Sequence, residues 1–358
     1  MADLNLVQRR LRHQSIVPAS CENPGEVVSR LGAMQAQDYL GSLWAIGLRT
    51  KAATEQSVEQ AIANKEIVRT WPMRGTLHFV AAEDVRWLLA LLTPRIIDRS
   101  ARRCRQLELD AATFAQAERL FAKALQGGKQ LTRAEMMAVL EEKGIVVTGQ
   151  RGYHILWWAA QHGLICFGPR QGKQDTFVLL EEWLPPGKSL SREESLAELA
   201  RRYFSGHGPA TIQDLIWWSG LPAAEARAAV ELARLEQEEF DDQTYWFVSS
   251  AAPTPPTASP AVQLLPGFDE YLLGYRERGA VLDPAHAGKV VPGGNGMFKP
   301  MLVIDGQIVG LWQRTLRKTK VQVNFAPFAP LSPTQMEAAV AAAEPYGRFL
   351  GLPVEIND

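Results

Sequence analysis

The run LTRAEMMAVLEEK at 131–143, followed shortly by RGYHILWWAAQHGLICFGPRQGKQDTFVLL at 151–180, decides the fold class. In the first piece apolar residues recur at helical spacing, and Thr132 stands three residues before Glu135, the hydroxyl and carboxylate pairing of a capping box. The second piece opens as another helix over 151–162 and then changes period, with two β-rich runs around a turn near Gly172. Just upstream, TFAQAERLFAKALQ at 113–126 supplies a further helix. Three helices closed by a β-hairpin is the winged-helix order.

The order returns in 191–205, 211–219 and 222–234, followed by EEFDDQTYWFVSS, whose Asp241–Asp242–Gln243 turn joins two short strands. A looser version precedes both: a helix around 4–13, another beginning at the Asn23–Pro24 cap, a third near 56–64, then EIVRTWPMRGTLHFV as two strands around Arg74–Gly75. The Pro-, Ser-, Thr- and Ala-rich stretch SSAAPTPPTASP at 249–260 then interrupts the pattern and reads as a linker. Beyond it, AVQLLPGFDEYLLGY and GMFKPMLVIDGQIVGLWQRTLRKTKVQVNFAPF alternate apolar and polar residues around an Asp305–Gly306 turn. A helix over 332–350, capped by Ser332 with Pro333 at its first position, follows. The expected class is α+β: winged-helix units at 1–108, 109–186 and 187–250, a linker at 251–260, and a small antiparallel β-barrel with a terminal helix at 261–358.

At 358 residues the chain exceeds one ordinary core, and 46% hydrophobic with 22% charged residues is a folded, globular balance. Lys+Arg 38 against Asp+Glu 39 leaves a net charge of −1, so an anionic partner must be met by local patches. Two stand out. RWLLALLTPRIIDRSARRCR at 86–105 carries six arginines and a single acid, Asp98, which is also how a solvated helix face reads. QRTLRKTK at 313–320 has four basic residues and no acid, and strand alternation would place Arg314, Lys318 and Lys320 on one face.

Cys21, Cys104 and Cys166 are far apart, without the spacing of a zinc site or a disulfide framework, and a reducing, cytoplasmic setting is expected. No HxH, HExxH, GxGxxG, P-loop or GxSxG motif occurs, so neither a metal nor another cofactor is expected. No apolar run spans a bilayer, the longest being WLLALL at 87–92. His78 sits on an expected strand, where a lone histidine is more often structural than catalytic. GFDEYLLGYRERG at 267–279 reads as a charged loop with internal ion pairs.

GAMQAQDYLG at 32–41 poses a sharper question. Gln35 and Gln37 lie two apart in an apolar segment, and on a helix such a pair points about 200° apart. Either the two merely end the helix that starts at Pro24, or the chain leaves that helix and turns both amides into one site.

MQAQD at 34–38, RTWPMRGTLHFV at 69–80, LLPGFDEYLLGYRER at 264–278 and GMFKPMLVIDGQIVGLWQR at 296–314, in this order and spacing, resemble the AlkZ-like bacterial DNA glycosylases over nearly the whole chain. The resemblance implies tandem winged helices and a C-terminal β-barrel clamping duplex DNA. It implies hydrolysis of the N-glycosidic bond of alkylated purines, including those in interstrand crosslinks. The family's Gln-aliphatic-Gln signature maps onto Gln35, Ala36 and Gln37. Relatives with aspartate at the second polar position imply that Gln37 holds the water there, with Gln35 orienting it or the deoxyribose; Asp38, displaced by one, is a competing base or a helix-end carboxylate.

Amides suit this chemistry. A purine alkylated at N7 or N3 is already cationic and leaves without a general acid, so what remains is to place water and stabilise an oxocarbenium-like sugar with oriented dipoles. The resemblance places no lysine as a Schiff-base nucleophile, and a monofunctional enzyme without lyase activity is expected. A crosslinked base cannot rotate out freely, so an open groove is expected rather than a deep pocket, with a wing in the minor groove. DNA contacts are expected at Arg69, Arg74, His78, Arg102, Arg103, Arg276, Arg314 and Lys318. The partner is double-stranded DNA carrying alkylated purines or crosslinks, met at the nucleoid by a monomer with no membrane attachment. The competing function is a non-catalytic winged-helix transcriptional regulator, which would explain the repeats and basic clusters but gives no reason for the glutamine pair; a protein-interaction scaffold is a third.

Overall fold

The computed structural model describes residues 2–248, 260–294 and 296–357. The expected linker lies, up to residue 259, outside them. Two compact units divide the chain: 59–196 form one, and residues up to Val58 together with Ala197 onward form the other.

In unit 59–196 the end of the helix Glu55–Ala63 is followed by the hairpin Ile67–Met73 and Thr76–Ala81. Its turn residues Arg74 and Gly75 have φ of 54° and 73°, the left-handed backbone that a two-residue hairpin turn needs to match strand twist. The long helix Val85–Gln106 follows, then Ala111–Leu125, started by the Asp110 side chain on the Thr113 N–H. The expected capping box is present: Thr132 and Glu135 satisfy each other's backbone N–H groups at the start of Arg133–Glu141. Helix Arg151–Gln161 leads into the second hairpin, Ile165–Gln171 and Gln174–Leu179.

The strands of this unit lie in the order Thr76–Ala81, Ile67–Met73, Ile165–Gln171, Gln174–Leu179, Leu131–Thr132, all antiparallel. Phe114, Ala117, Phe121 and Leu125 recur at helical spacing on one buried face of Ala111–Leu125. They join Trp71, Trp157, Phe167 and Phe177 in one core, where each fully buried large side chain contributes about 1.5–3 kcal/mol.

In the other unit, Ile212–Ser219 starts at a Thr211–Asp214 capping box and stops at Gly220 in the left-handed conformation. Ala223–Ala233 and the hairpin Glu236–Phe240 with Gln243–Phe247 follow, turned by Asp241 and Asp242 at positive φ. The C-terminal strands form a five-stranded sheet in the order Val262–Leu265, Met301–Ile304, Gln307–Leu316, Val321–Pro327, Val354–Asn357. This corrects the expected barrel in two ways. The outer strands stay unpaired with each other among the described residues, so the sheet is open. Its last strand is also parallel to Val321–Pro327. The physical reason is the intervening helix Pro333–Leu350, which carries the chain back along the sheet, and a crossover of that kind delivers a parallel neighbour. Tyr346 and Phe349 of that helix lock against Trp44 at 5.1 and 5.2 Å between ring centres, and Tyr346 also meets Trp312.

The fold is mixed α+β. Among the described residues no helix is long and apolar enough to cross a membrane.

Candidate active site

Helix Pro24–Leu31 starts with the Asn23 side chain accepting the Glu26 N–H at 2.9 Å and ends at Gly32, φ 74°. That glycine is required: besides its left-handed backbone, an added Cβ would stand 3.1 Å from Arg202 Cβ. Met34–Gln35 are then extended, and Asp38 caps the next helix, Tyr39–Gly47, by accepting the Gly41 N–H. The chain has thus left the helix before Gln35, and the bend at Gln37 brings the two amides together, which answers the question posed by the glutamine spacing. Gln35 Nε2 donates to Gln37 Oε1 at 2.5 Å. Gln35 is 8% exposed, whereas Gln37 is open to solvent. Neither ends the preceding helix; the Ser29 carbonyl there accepts from the Gly32 N–H and from Arg202.

The pair is chemically asymmetric. Gln35 uses an amide hydrogen to fix the Gln37 carbonyl, whose second lone pair can accept from a water. Asp38 is engaged at the helix start and by Arg314, 3.3 Å from its carboxylate. Such a double engagement is that of a structural cap.

Beneath the pair, GFDEYLLGYRERG departs from the expected charged loop with internal ion pairs. Asp269 caps a single helical turn, Glu270–Leu273, and both acids point inward because their partners come from remote chain. Asp269 takes a two-pronged pairing from the fully buried Arg49, at 2.7 and 2.9 Å. Glu270 accepts the Gln35 N–H at 3.1 Å and the Trp218 indole N–H at 3.0 Å, with His207 Nε2 at 3.2 Å. Glu270 lay in a segment already singled out, but no sequence signal links it to His207 or Trp218.

Gln35, Gln37, Asp38, Arg276, Arg314 and Lys318 belong to one unit, and Arg69, Arg74, His78, Arg102 and Arg103 to the other. Two of the expected DNA contacts are interior. Arg69 is 6% exposed, pairs with Asp175 at 3.1 Å and lies over the Phe167 ring. His78 is fully buried, its Nδ1 on the Thr76 carbonyl and its Nε2 facing Arg74 at 3.2 Å. Burial, and then the Arg74 guanidinium, hold its pKa well below the usual histidine range. The strand alternation that sequence could see says which face a side chain takes but not that both faces here are covered.

Arg74 sits half-buried on the hairpin turn, while Arg102 and Arg103 are exposed on Val85–Gln106, where Arg95 and Arg99 fall at helical spacing with them. Arg276 is exposed and donates to Gln213. Lys318 is exposed in the turn after the strand ends at Leu316, so the expected shared face of Arg314, Lys318 and Lys320 is not formed; Lys320 pairs with Glu355. A strand's period of two stops where the chain reverses. Among the described residues, no three His, Cys, Asp or Glu side chains gather as metal ligands.

The family described as DNA glycosylase AlkZ-like matches residues 28–349, a span containing the glutamine pair, the buried acids and Arg314. The chain belongs to this family. A curated relative, an interstrand DNA cross-link repair glycosylase of Streptomyces sahachiroi, is 27% identical over 375 residues, covering 97% of each chain. The solved structure of the Streptomyces sahachiroi DNA glycosylase AlkZ superposes with a TM-score of 0.80 at 24% identity, covering 99% of both chains, and shows the shared fold. The chain is thus a DNA glycosylase, a hydrolase of N-glycosyl bonds that acts on DNA.

Proposed function

We propose that the enzyme hydrolyses the N-glycosidic bond of purines alkylated at N7 or N3 in duplex DNA, leaves an abasic site without cutting the strand, and unhooks interstrand crosslinks built on such purines. The observation that carries this reading is the Gln35–Gln37 amide pair, with the Gln37 carbonyl oriented from behind and its side chain exposed. Gln37 accepts a hydrogen from the attacking water and turns the negative end of its dipole toward the sugar as positive charge develops at C1′. Gln35 holds that carbonyl. The adjacent carboxylate, Asp38, is engaged by Gly41 and Arg314, so the site stays essentially neutral and favours bases that are already cationic. The exposure of Gln37 suits a lesion presented in a groove, and the relative from Streptomyces sahachiroi is itself an interstrand DNA cross-link repair glycosylase.

The reading includes three winged-helix units at 1–108, 109–186 and 187–250 and a C-terminal domain at 261–358. It is supported in the second by the strand Leu131–Thr132 pairing with the wing strand Gln174–Leu179. In the third it is supported by the Ala210–Trp246 bridge between the first two helices and the wing. Phosphates are met by Arg74, Arg102, Arg103, Arg276, Arg314 and Lys318, with the enzyme acting as a cytoplasmic monomer.

The test is release of N7-methylguanine from methylated duplex DNA, with abasic sites revealed by alkali, beside unhooking of a mustard-crosslinked duplex. Gln37→Ala should lower the single-turnover rate roughly a hundredfold while DNA binding persists. Absence of release on both substrates, with binding intact, would overturn the reading in favour of a regulator.

A further inference from the structure

We infer that Glu270 is a positioning residue for catalysis: its buried carboxylate fixes the backbone of Gln35 and, through it, the amide pair. The inference rests on the catalytic reading of Gln35 and Gln37.

Glu270 is 1% exposed, and its two oxygens meet polar groups from three separate parts of the chain. Oε1 takes the Gln35 peptide N–H, and Oε2 takes the Trp218 indole and faces His207. Each of these is itself held. His207 is fully buried, stacked on Tyr203 at 4.7 Å and 12°, with Nδ1 on the Tyr203 carbonyl. Trp218 is fully buried on a helix with caps at both ends. The turn that carries Glu270 is anchored at Asp269 by Arg49, and its first carbonyl accepts from Gln14 Nε2. The carboxylate is therefore a rigid point onto which an otherwise short extended segment is hung.

The anchored atom decides what the site can do. A peptide N–H fixed at residue 35 sets the Cα–Cβ direction of Gln35, whose Nε2 in turn sets the Gln37 carbonyl. Misplacement of a reacting group by about 1 Å costs on the order of a hundredfold in rate, so a loosened anchor is felt in chemistry before it is felt in binding. Glu270 is buried away from any substrate and acts through Gln35.

Glu270→Gln isolates this role. The amide retains one acceptor for two fixed donors, the Trp218 indole N–H and the Gln35 N–H, so its NH₂ faces one of them, donor against donor, and the anchor loosens. The experiment measures the single-turnover rate of N7-methylguanine release, the dissociation constant for the same duplex and the thermal midpoint, for the unmodified chain, Glu270→Gln, Gln35→Ala and the double variant. The expected result is a rate lowered roughly ten- to a hundredfold with the dissociation constant within about twofold. In the Gln35→Ala background the same change should add less than about twofold, since the amide it places is gone.

A wild-type rate in folded Glu270→Gln overturns the inference and leaves the proposed function standing. So does a multiplicative loss in the double variant. No release by the unmodified chain overturns both. If Glu270→Gln does not fold, Trp218→Phe removes one hydrogen bond to the carboxylate: a rate lowered about threefold or more at unchanged affinity supports the inference, and an unchanged rate overturns it.

Discussion

Replacing Asp269 by alanine takes one partner from a pair in which both side chains are fully buried. Arg49 then keeps its charge in the interior with two of its donors unmet, those that reach Asp269 at 2.7 and 2.9 Å. Breaking such a pair costs about 3–5 kcal/mol, a large share of the roughly 5–15 kcal/mol that holds a typical domain folded. The same substitution removes the cap on Tyr271 N–H at the start of Glu270–Leu273. For a unit of this size the midpoint should fall by about 6–20 °C. Urea unfolding followed by tryptophan fluorescence and far-ultraviolet dichroism measures the loss directly. The double variant Arg49→Met with Asp269→Leu should recover part of it, because no charge is then stranded. Recovery is incomplete because Arg49 also donates to the Gln14 and Ala45 carbonyls and to the Gln14 side chain. A loss below about 1 kcal/mol in Asp269→Ala would show that water reaches Arg49, and the argument from burial would fail.

Two further outcomes follow from single groups. Because burial and Arg74 depress the pKa of His78, the unfolded chain takes up a proton before the folded one does as pH falls. Stability from this group is intact above a pH of about 6.5 and is lost below it at about 1.4 kcal/mol per pH unit until the folded value is reached. His13 is depressed in the same direction, chiefly by burial, so the comparison is between the wild type and His78→Gln, and equal acid sensitivity in both would refute the assignment. Lys318, exposed in the turn between two strands, is expected to meet a phosphate. Lys318→Ala should weaken duplex binding uniformly across sequences and reduce the log–log salt slope by about one, measured by anisotropy titrations over a range of salt; an unaltered slope removes Lys318 from the interface.

The parts of this fold legible in sequence are those decided within a few residues. The Thr132–Glu135 capping box, the Ser332 cap and the turns at Arg74–Gly75, Asp241–Asp242 and Asp305–Gly306 all stand where the residues place them. The glutamine pair was visible as an oddity of spacing, and the matching family signature pointed to it as the site. Its shape stayed open between ending the helix and leaving it, and the structure decides it by ending the helix at Gly32, three residues before Gln35.

The amino-acid sequence by itself determined the caps, turns and periodicities, because these depend on torsions and hydrogen bonds that close within about four residues. Tertiary structure alone decided which of the legible residues face inward. Arg69 and His78 share the hairpin with Arg74 yet are buried, Arg69 where the second hairpin pairs with its strand and brings the Phe167 ring against it. The open sheet and its parallel last strand rest on pairing across a returning helix, and the support of Gln35 rests on a carboxylate 235 residues away. A local pattern states which groups a residue offers; the partner that satisfies a buried group is chosen by the packing of distant chain, where leaving any of these groups unmet would cost more than a local preference can supply.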